Sequence, residues 1–186
     1  MRSSRSVLPS PATASEIEAA DLLARARRLD RNALALLHQT HYPEVYRYVS
    51  FRLPDNDACA KIVAQVFVHF LAALRKRRAP RQNLPGWLFR EAGSLVDEYL
   101  RKTGKATAAS TPPPPDQHGE GESERFHFYT ALLRLSTDQQ HFLAMRFSQP
   151  RALSEVAQLM DRPEEQLRVL QQRALAALHV NLGGQL

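Results

Sequence analysis

The chain has 186 residues, 44% of them hydrophobic and 24% charged, which is enough for one ordinary domain or two small ones and excludes disorder throughout. Its net charge of +6 is unevenly placed, because between Lys61 and Lys105 ten basic residues stand against three acids, Glu91, Asp97 and Glu98. A patch of that density attracts polyanions by counterion release, so nucleic acid is the first partner to consider, ahead of an acidic protein or a membrane surface.

The lone Cys59 excludes an intramolecular disulfide and a cysteine-rich zinc site, and fits a reducing compartment. The start has no apolar run like a signal-peptide core, and no stretch reaches the roughly 20 apolar residues of a spanning helix. These features predict a cytoplasmic protein without membrane insertion. Residues 1–14, rich in Ser, Pro and Ala, predict a disordered tail.

Helical periodicity runs from Glu16 to Lys102, with no sustained strand-like alternation. Ser15 is placed to cap a first helix through "EIEAADLLARARRL". A second follows in "ALALLHQTHYPEVYRYVSFRL", with Pro43 as a kink or a break, and Pro54 with "DNDA" ends it. In "ACAKIVAQVFVHFLAALRKR", Ile62, Val66, His69 or Phe70, and Ala73 or Leu74 are spaced to face a bundle.

The loop "RRAPRQNLPG" leads into "WLFREAGSLVDEYLRK". Leu88, Ala92, Leu95 and Tyr99 recur there at the spacing of one buried face. Arg90, Ser94, Asp97 and Arg101 share the opposite side, with Lys102 beyond. Such a face can meet phosphates or be an ordinary solvated surface. Trp87, at the helix start, reads as a core anchor in preference to a base-stacking platform.

Composition then changes. Residues 103–124, which include Pro112 to Pro115, have no apolar periodicity and read as a linker. After it come "ERFHFYTALLRL" and "STDQQHFLAMRF", the second opened by a capping box of Ser136 and Gln139. A short "LSEVAQLM", a "DR" turn and Pro163 before "EEQLRVLQQRALAALHV" make the skeleton of a helix-turn-helix. Leu167, Leu170, Ala174, Leu175 and Leu178 are spaced to pack inward, leaving Gln166, Arg168, Gln171, Gln172 and Arg173 as the polar groups. The expected fold is therefore all-α, with two small helical domains at 15–102 and 125–181 joined by a Pro-rich flexible linker.

Enzymatic chemistry has little to stand on. His38 and His41 are three apart, but no "HExxH" carboxylate accompanies them, and no phosphate-binding glycine loop exists. Cys59 in an Ala-rich helix start reads as a small buried residue. No catalytic residue, metal or cofactor is predicted.

The order and spacing of "HYPEVYRYVSFRL", "AQVF" and "GWLFREAGSLVDEYLRK", followed by "RLSTDQQHFLAMRF" and "LSEVAQLMDRPEEQLRVLQQRALAAL", resemble bacterial sigma factors of the extracytoplasmic-function type. The resemblance covers roughly residues 33–102 and 126–179. It implies a sigma-two-like bundle that binds core RNA polymerase and the minus-ten promoter element. It also implies a sigma-four-like helix-turn-helix for the minus-thirty-five element. The implied activity is promoter recognition and melting, and the implied partners are the beta-prime and beta subunits of core polymerase, promoter DNA and an anti-sigma factor.

By the same resemblance, Arg77, Arg78, Arg81, Asn83, Arg90, Ser94, Asp97, Arg101 and Lys102 belong to the minus-ten side. Arg146, Arg162, Gln166, Arg168, Gln172 and Arg173 belong to the minus-thirty-five side. Lys61, Ala64 and Gln65 fall in the polymerase-docking stretch, where "KIVAQ" stands in place of the family's acidic "DLTQE". Glu165 falls where many relatives have glycine. These departures keep a second reading open, a sigma-derived DNA-binding regulator or interaction protein that no longer docks on polymerase in the usual way.

Overall fold

The computed structural model describes residues 14–103 and 120–183, and their side chains from 17 and from 124 onward. The tail expected at 1–14 and most of the linker expected at 103–124 lie outside the described residues. Among those residues the structure is helical, without strands.

Local chemistry sets most helix starts. α1 covers Ala14–Ala26, so Ser15 lies inside it and does not cap it. Leu29, at φ 63°, then turns the chain. α2, Arg31–Arg52, begins where the Asp30 carboxylate accepts the N–H groups of Asn32 and Ala33 at 2.9 and 3.3 Å. It runs unbroken through Pro43, because Pro43 and Gln39 are exposed and solvent can take the carbonyl that a proline leaves unbonded. α3, Asn56–Arg75, is capped by Asp55, whose side chain accepts the Ala58 N–H at 3.0 Å.

α4, Leu84–Thr103, starts after Asn83, which adopts φ 49° and accepts the Gly86 N–H on its side-chain oxygen at 3.0 Å. α5, Glu120–Leu133, already occupies residues expected in the linker. α6, Thr137–Phe147, opens with the predicted capping box. α7, Leu153–Met160, is followed by α8, Glu164–Asn181, with Pro163 as the residue just before the helix.

The first four helices form a bundle in which α2, α3 and α4 pack on one another and α1 lies on α2. In α3 the predicted stripe is buried at Ile62, Val66, Phe70 and Leu74, with Val63 and Phe67 beside it. This helix is long and apolar enough by composition to cross a membrane, but Ile62, Val63, Val66, Phe67, Phe70 and Leu74 line the bundle core. The last four helices gather α5, α6 and α7 around α8.

The two groups also touch. α4 lies against α7 and α6, and α2 against α6, so that buried Tyr48, Phe89, Phe142 and Met145 belong to one continuous core. Each large apolar side chain so buried contributes about 1.5–3 kcal/mol.

This double contact corrects the expected face of α4. Leu88 and Ala92 are buried, but Leu95 and Tyr99 are only half-buried, and the buried set continues through Phe89, Gly93, Val96 and Leu100. The reason is that α4 is covered from two sides. Leu175, expected to pack inward on α8, is instead 40% exposed.

Candidate nucleic-acid interface

The helix-turn-helix is held by buried Val156 of α7 and Leu167 and Ala174 of α8. Between the helices Asp161 takes the left-handed conformation at φ 54°, and the Asp161 and Arg162 N–H groups bond back to the carbonyls of Gln158 and Ala157 at 3.3 and 3.1 Å. On the outer side of α8, Gln166, Arg168, Gln172 and Arg173 are exposed together. Arg168 is held by Glu164 at 3.0 Å and by Glu165 at 2.8 Å. Arg162 pairs with Asp138 at 2.8 Å. Arg146, on α6, is half-buried beside the Phe147 ring, 5.7 Å from its centroid.

The basic region is built on the α3–α4 loop and on α4. Buried Ala79 pins that loop, and Arg27 donates to the carbonyls of Ala79 and Pro80 at 2.9 and 3.3 Å. Arg77, Arg78 and Arg81 are therefore displayed outward, with Arg90, Ser94, Arg101 and Lys102 continuing along α4. Lys102 pairs with Glu98 at 2.6 Å, and the Ser94 hydroxyl bonds the Arg90 carbonyl.

Two residues of the expected minus-ten set behave differently. Asn83 donates its side-chain N–H to the Gln158 carbonyl of α7 at 2.8 Å. Asp97 accepts from Arg52 at 2.6 Å, and the same Arg52 nitrogen donates to the Gln140 side chain of α6 at 2.9 Å. Arg52 is fully buried. Its neighbour one turn back, Tyr48, lies 3.4 Å from it and bonds His141 of α6.

Burial pushes the Tyr48 phenol up to about 12, so it stays protonated and donates its proton to Nδ1 of His141. The imidazole is pulled down to about 4 by burial, with the Arg52 cation adding to the effect. A neutral histidine therefore completes the cluster. Sequence reasoning missed Tyr48, Arg52, Gln140 and His141. The available signal was a charge at Arg52 continuing the apolar stripe of Val45 and Val49.

The other chemistry-bearing groups do not converge. His38 packs on Phe67 and Tyr42, with centroids 4.5 and 5.2 Å away, while His41 reaches Glu44 at 3.5 Å. The buried Cys59 thiol is pushed up to about 11, by burial first and by Asp55 second.

On α3, Lys61, Ala64 and Gln65 are exposed in one stripe with Val68 and Leu71, above buried Ile62, Val63, Val66 and Phe67. Gln65 contacts His69 at 2.8 Å, and His69 in turn reaches Glu91 of α4 at 2.5 Å. Beside the stripe runs an apolar groove lined by Leu34, Phe67, Phe70 and Leu71, with Arg31 at its edge.

The family model for sigma-70 region 4 matches residues 131–179, a span that holds α6, α7, the turn and most of α8. The extracytoplasmic-function RNA polymerase sigma factor BldN of Streptomyces coelicolor is 23% identical over 167 residues, covering 85% of this chain and 63% of BldN. The chain is a relative of the extracytoplasmic-function sigma factors. It spans less than two thirds of the length of that curated relative. A solved structure of an RsbN–BldN complex shares 21% identity, covers 83% of this chain and 95% of that one, and has a TM-score of 0.38.

Sigma factors serve transcription initiation as DNA-binding proteins, not as enzymes. All six residues expected on the minus-thirty-five side, Arg146, Arg162, Gln166, Arg168, Gln172 and Arg173, fall inside the region 4 match.

Proposed function

We propose that this chain binds core RNA polymerase through its beta-prime and beta subunits and directs it, in the cytoplasm, to promoters that it helps to melt. Residues 15–102 act on the minus-ten element, residues 125–181 read the minus-thirty-five element, and residues 103–124 link them. The observation that carries this reading is the helix-turn-helix within the region 4 match, with Gln166, Arg168, Gln172 and Arg173 exposed along one side of α8. Glutamine and arginine pair with the edges of adenine and guanine, and Arg162 and Arg146 supply phosphate contacts.

At the other element, Arg77, Arg78, Arg81, Arg90, Arg101 and Lys102 offer charge to a displaced strand, and Asn83, Ser94 and Asp97 are the polar groups assigned to its bases. Capturing unpaired DNA better than duplex shifts the melting equilibrium without any covalent step. An anti-sigma factor would silence the chain by covering these faces.

A second reading has one observation behind it. Lys61, Ala64 and Gln65 lie outward on α3, so the departure from the family's acidic docking sequence changes a surface and is not absorbed in the core. A charge change at the rim of an interface alters association rate, whereas one facing a like charge costs several kcal/mol. A regulator that has lost polymerase docking is the alternative.

Binding to core polymerase from the protein's own host, followed by transcription from genomic fragments, decides between them. Tight binding and start-site-specific transcripts are expected. Binding that appears only after Lys61→Asp, Ala64→Gln and Gln65→Glu together sinks the initiation role and leaves the regulator.

A further inference from the structure

We propose that Arg27 of α1 is a positioning residue for single-strand capture, holding the α3–α4 loop in the shape that displays Arg77, Arg78 and Arg81 together. The role rests on the minus-ten reading of that loop and adds to it a residue from outside the loop and α4.

Hydrogen bonding in the loop is completed by Arg27. The N–H groups of Lys76, Arg77, Arg78 and Ala79 turn back onto α3, where the carbonyls of Ala72, Ala73 and Leu74 accept them at 2.8 to 3.1 Å. Pro80 has no N–H to give. At the far end Asn83 turns the chain at φ 49° and accepts the Gly86 N–H at the start of α4. Between these two fixed ends Arg27 Nη1 donates to the carbonyls of Ala79 and Pro80, reaching across 52 and 53 residues of chain. The arginine is itself well anchored. Leu23 and Ala26 beside it are buried in the core, and Asp30, the acid nearest in sequence, is held by Arg25 at 2.9 Å.

Charge links this geometry to DNA. Lys76 to Asn83 carry four cations and no acid, so the side chains of the loop repel one another and favour a splayed chain. Arg77 sits just past the end of α3 at φ 55°, a left-handed position that glycine takes without strain, yet a cation stands there. An acid in the place of Arg27 would steady the loop by neutralising it. A guanidinium that bonds carbonyls steadies the loop and adds to its positive field. A strand then meets cations already in place, and less ordering remains to be done on binding.

The test uses the full chain with three substitutions. Arg27→Met removes both bonds and the charge, while Arg27→Lys keeps the charge without the planar fork. Pro80→Gly keeps every charge and loosens the loop from within, and it decides the matter if Arg27→Met fails to fold. Binding of a fluorescent random-sequence single-stranded DNA pool is titrated at two salt concentrations. Tryptic cleavage after the exposed Arg77, Arg78 and Arg81, identified by fragment mass, reports the order of the loop.

The unsubstituted protein is expected to bind the pool and to resist cleavage in the loop. Arg27→Met should speed cleavage there and lower single-strand affinity about tenfold, because the cations must be ordered on binding. Arg27→Lys should fall between, and Pro80→Gly should move both readouts in the direction of Arg27→Met. Faster cleavage with unchanged single-strand affinity overturns the positioning role and leaves Arg27 a structural contact. Full affinity in both Arg27→Lys and Pro80→Gly reduces Arg27 to one more charge and overturns it as well. An unsubstituted chain that binds no single strand overturns the minus-ten reading itself.

Discussion

Arg52 and Asp97 meet at 2.6 Å between α2 and α4, with the guanidinium side chain 1% exposed and the carboxylate side chain 36% exposed. The asymmetry has a cause: α6 covers the arginine end through Gln140, while the aspartate end reaches the edge of the contact. Removing either partner therefore has unequal consequences.

Asp97→Ala leaves a buried cation with only Gln140 and Tyr48 as neighbours, and is expected to cost roughly 2 kcal/mol. Asp97→Asn, which still offers a carbonyl oxygen to Arg52, should cost less than half of that. Chemical denaturation midpoints of the two variants check the order, and equal midpoints would show that the carboxylate charge does not stabilise the cluster.

His141 predicts acid-induced opening. In the closed form the imidazole is neutral and pulled down to about 4 by burial and then by Arg52. It faces Tyr48 and Arg52 of α2, Arg90 of α4, Asp138 of α6 and Arg162 of the α7–α8 turn. When the two groups part, the ring returns toward its usual value near 6.5 and takes up a proton. A neutral ring in the closed form thus contributes stability fully present above about 6.5 and lost as pH falls toward about 4. The slope from this one group is at most about 1.4 kcal/mol per pH unit. The chemical denaturation midpoint across that range should fall on acidification, and His141→Gln should flatten the response.

How much of this was legible in the sequence follows from what periodicity reports. It located the α3 stripe at Ile62, Val66 and Phe70, the Ser136–Gln139 capping box and the α7–turn–α8 skeleton, because each depends on residues close in the chain. It missed the second covered side of α4, where Phe89, Gly93, Val96 and Leu100 are buried, because periodicity picks out one apolar stripe and does not say that a distant helix covers its flank. Gly86 and Gly93, seven residues apart on one helix, carried the available hint, since glycines so spaced permit close approach of another element.

Cys59 is expected to be unreactive in the folded chain. It is buried at the start of α3, its sulfur 3.6 Å from the Leu53 carbonyl, and its thiol is pushed up to about 11. A disulfide exchange reagent at neutral pH should label it only at the rate at which α3 opens, and denaturant should restore the ordinary rate. Labelling at the free-cysteine rate in native buffer would show that the α2–α3 corner is open.

The start of the reading helix gives the last prediction. Glu164 and Glu165 stabilise the first turn of α8 through the helix dipole, yet they neutralise Arg168 and repel phosphate. The pairs are exposed, so each contributes no more than about 1 kcal/mol to stability. Replacing both by glutamine should leave the thermal midpoint nearly unchanged and free Arg168 for DNA. Affinity should rise on every duplex tested, with a steeper dependence on salt, because the gain is electrostatic and carries no base information. Gln172→Ala should behave in the opposite way, weakening the selected minus-thirty-five sequence by about 1–3 kcal/mol while leaving random duplex alone. Titrations of both variants at two salt concentrations separate the roles, and a Gln172→Ala effect of equal size on random duplex would place that side chain on the phosphates instead of the bases.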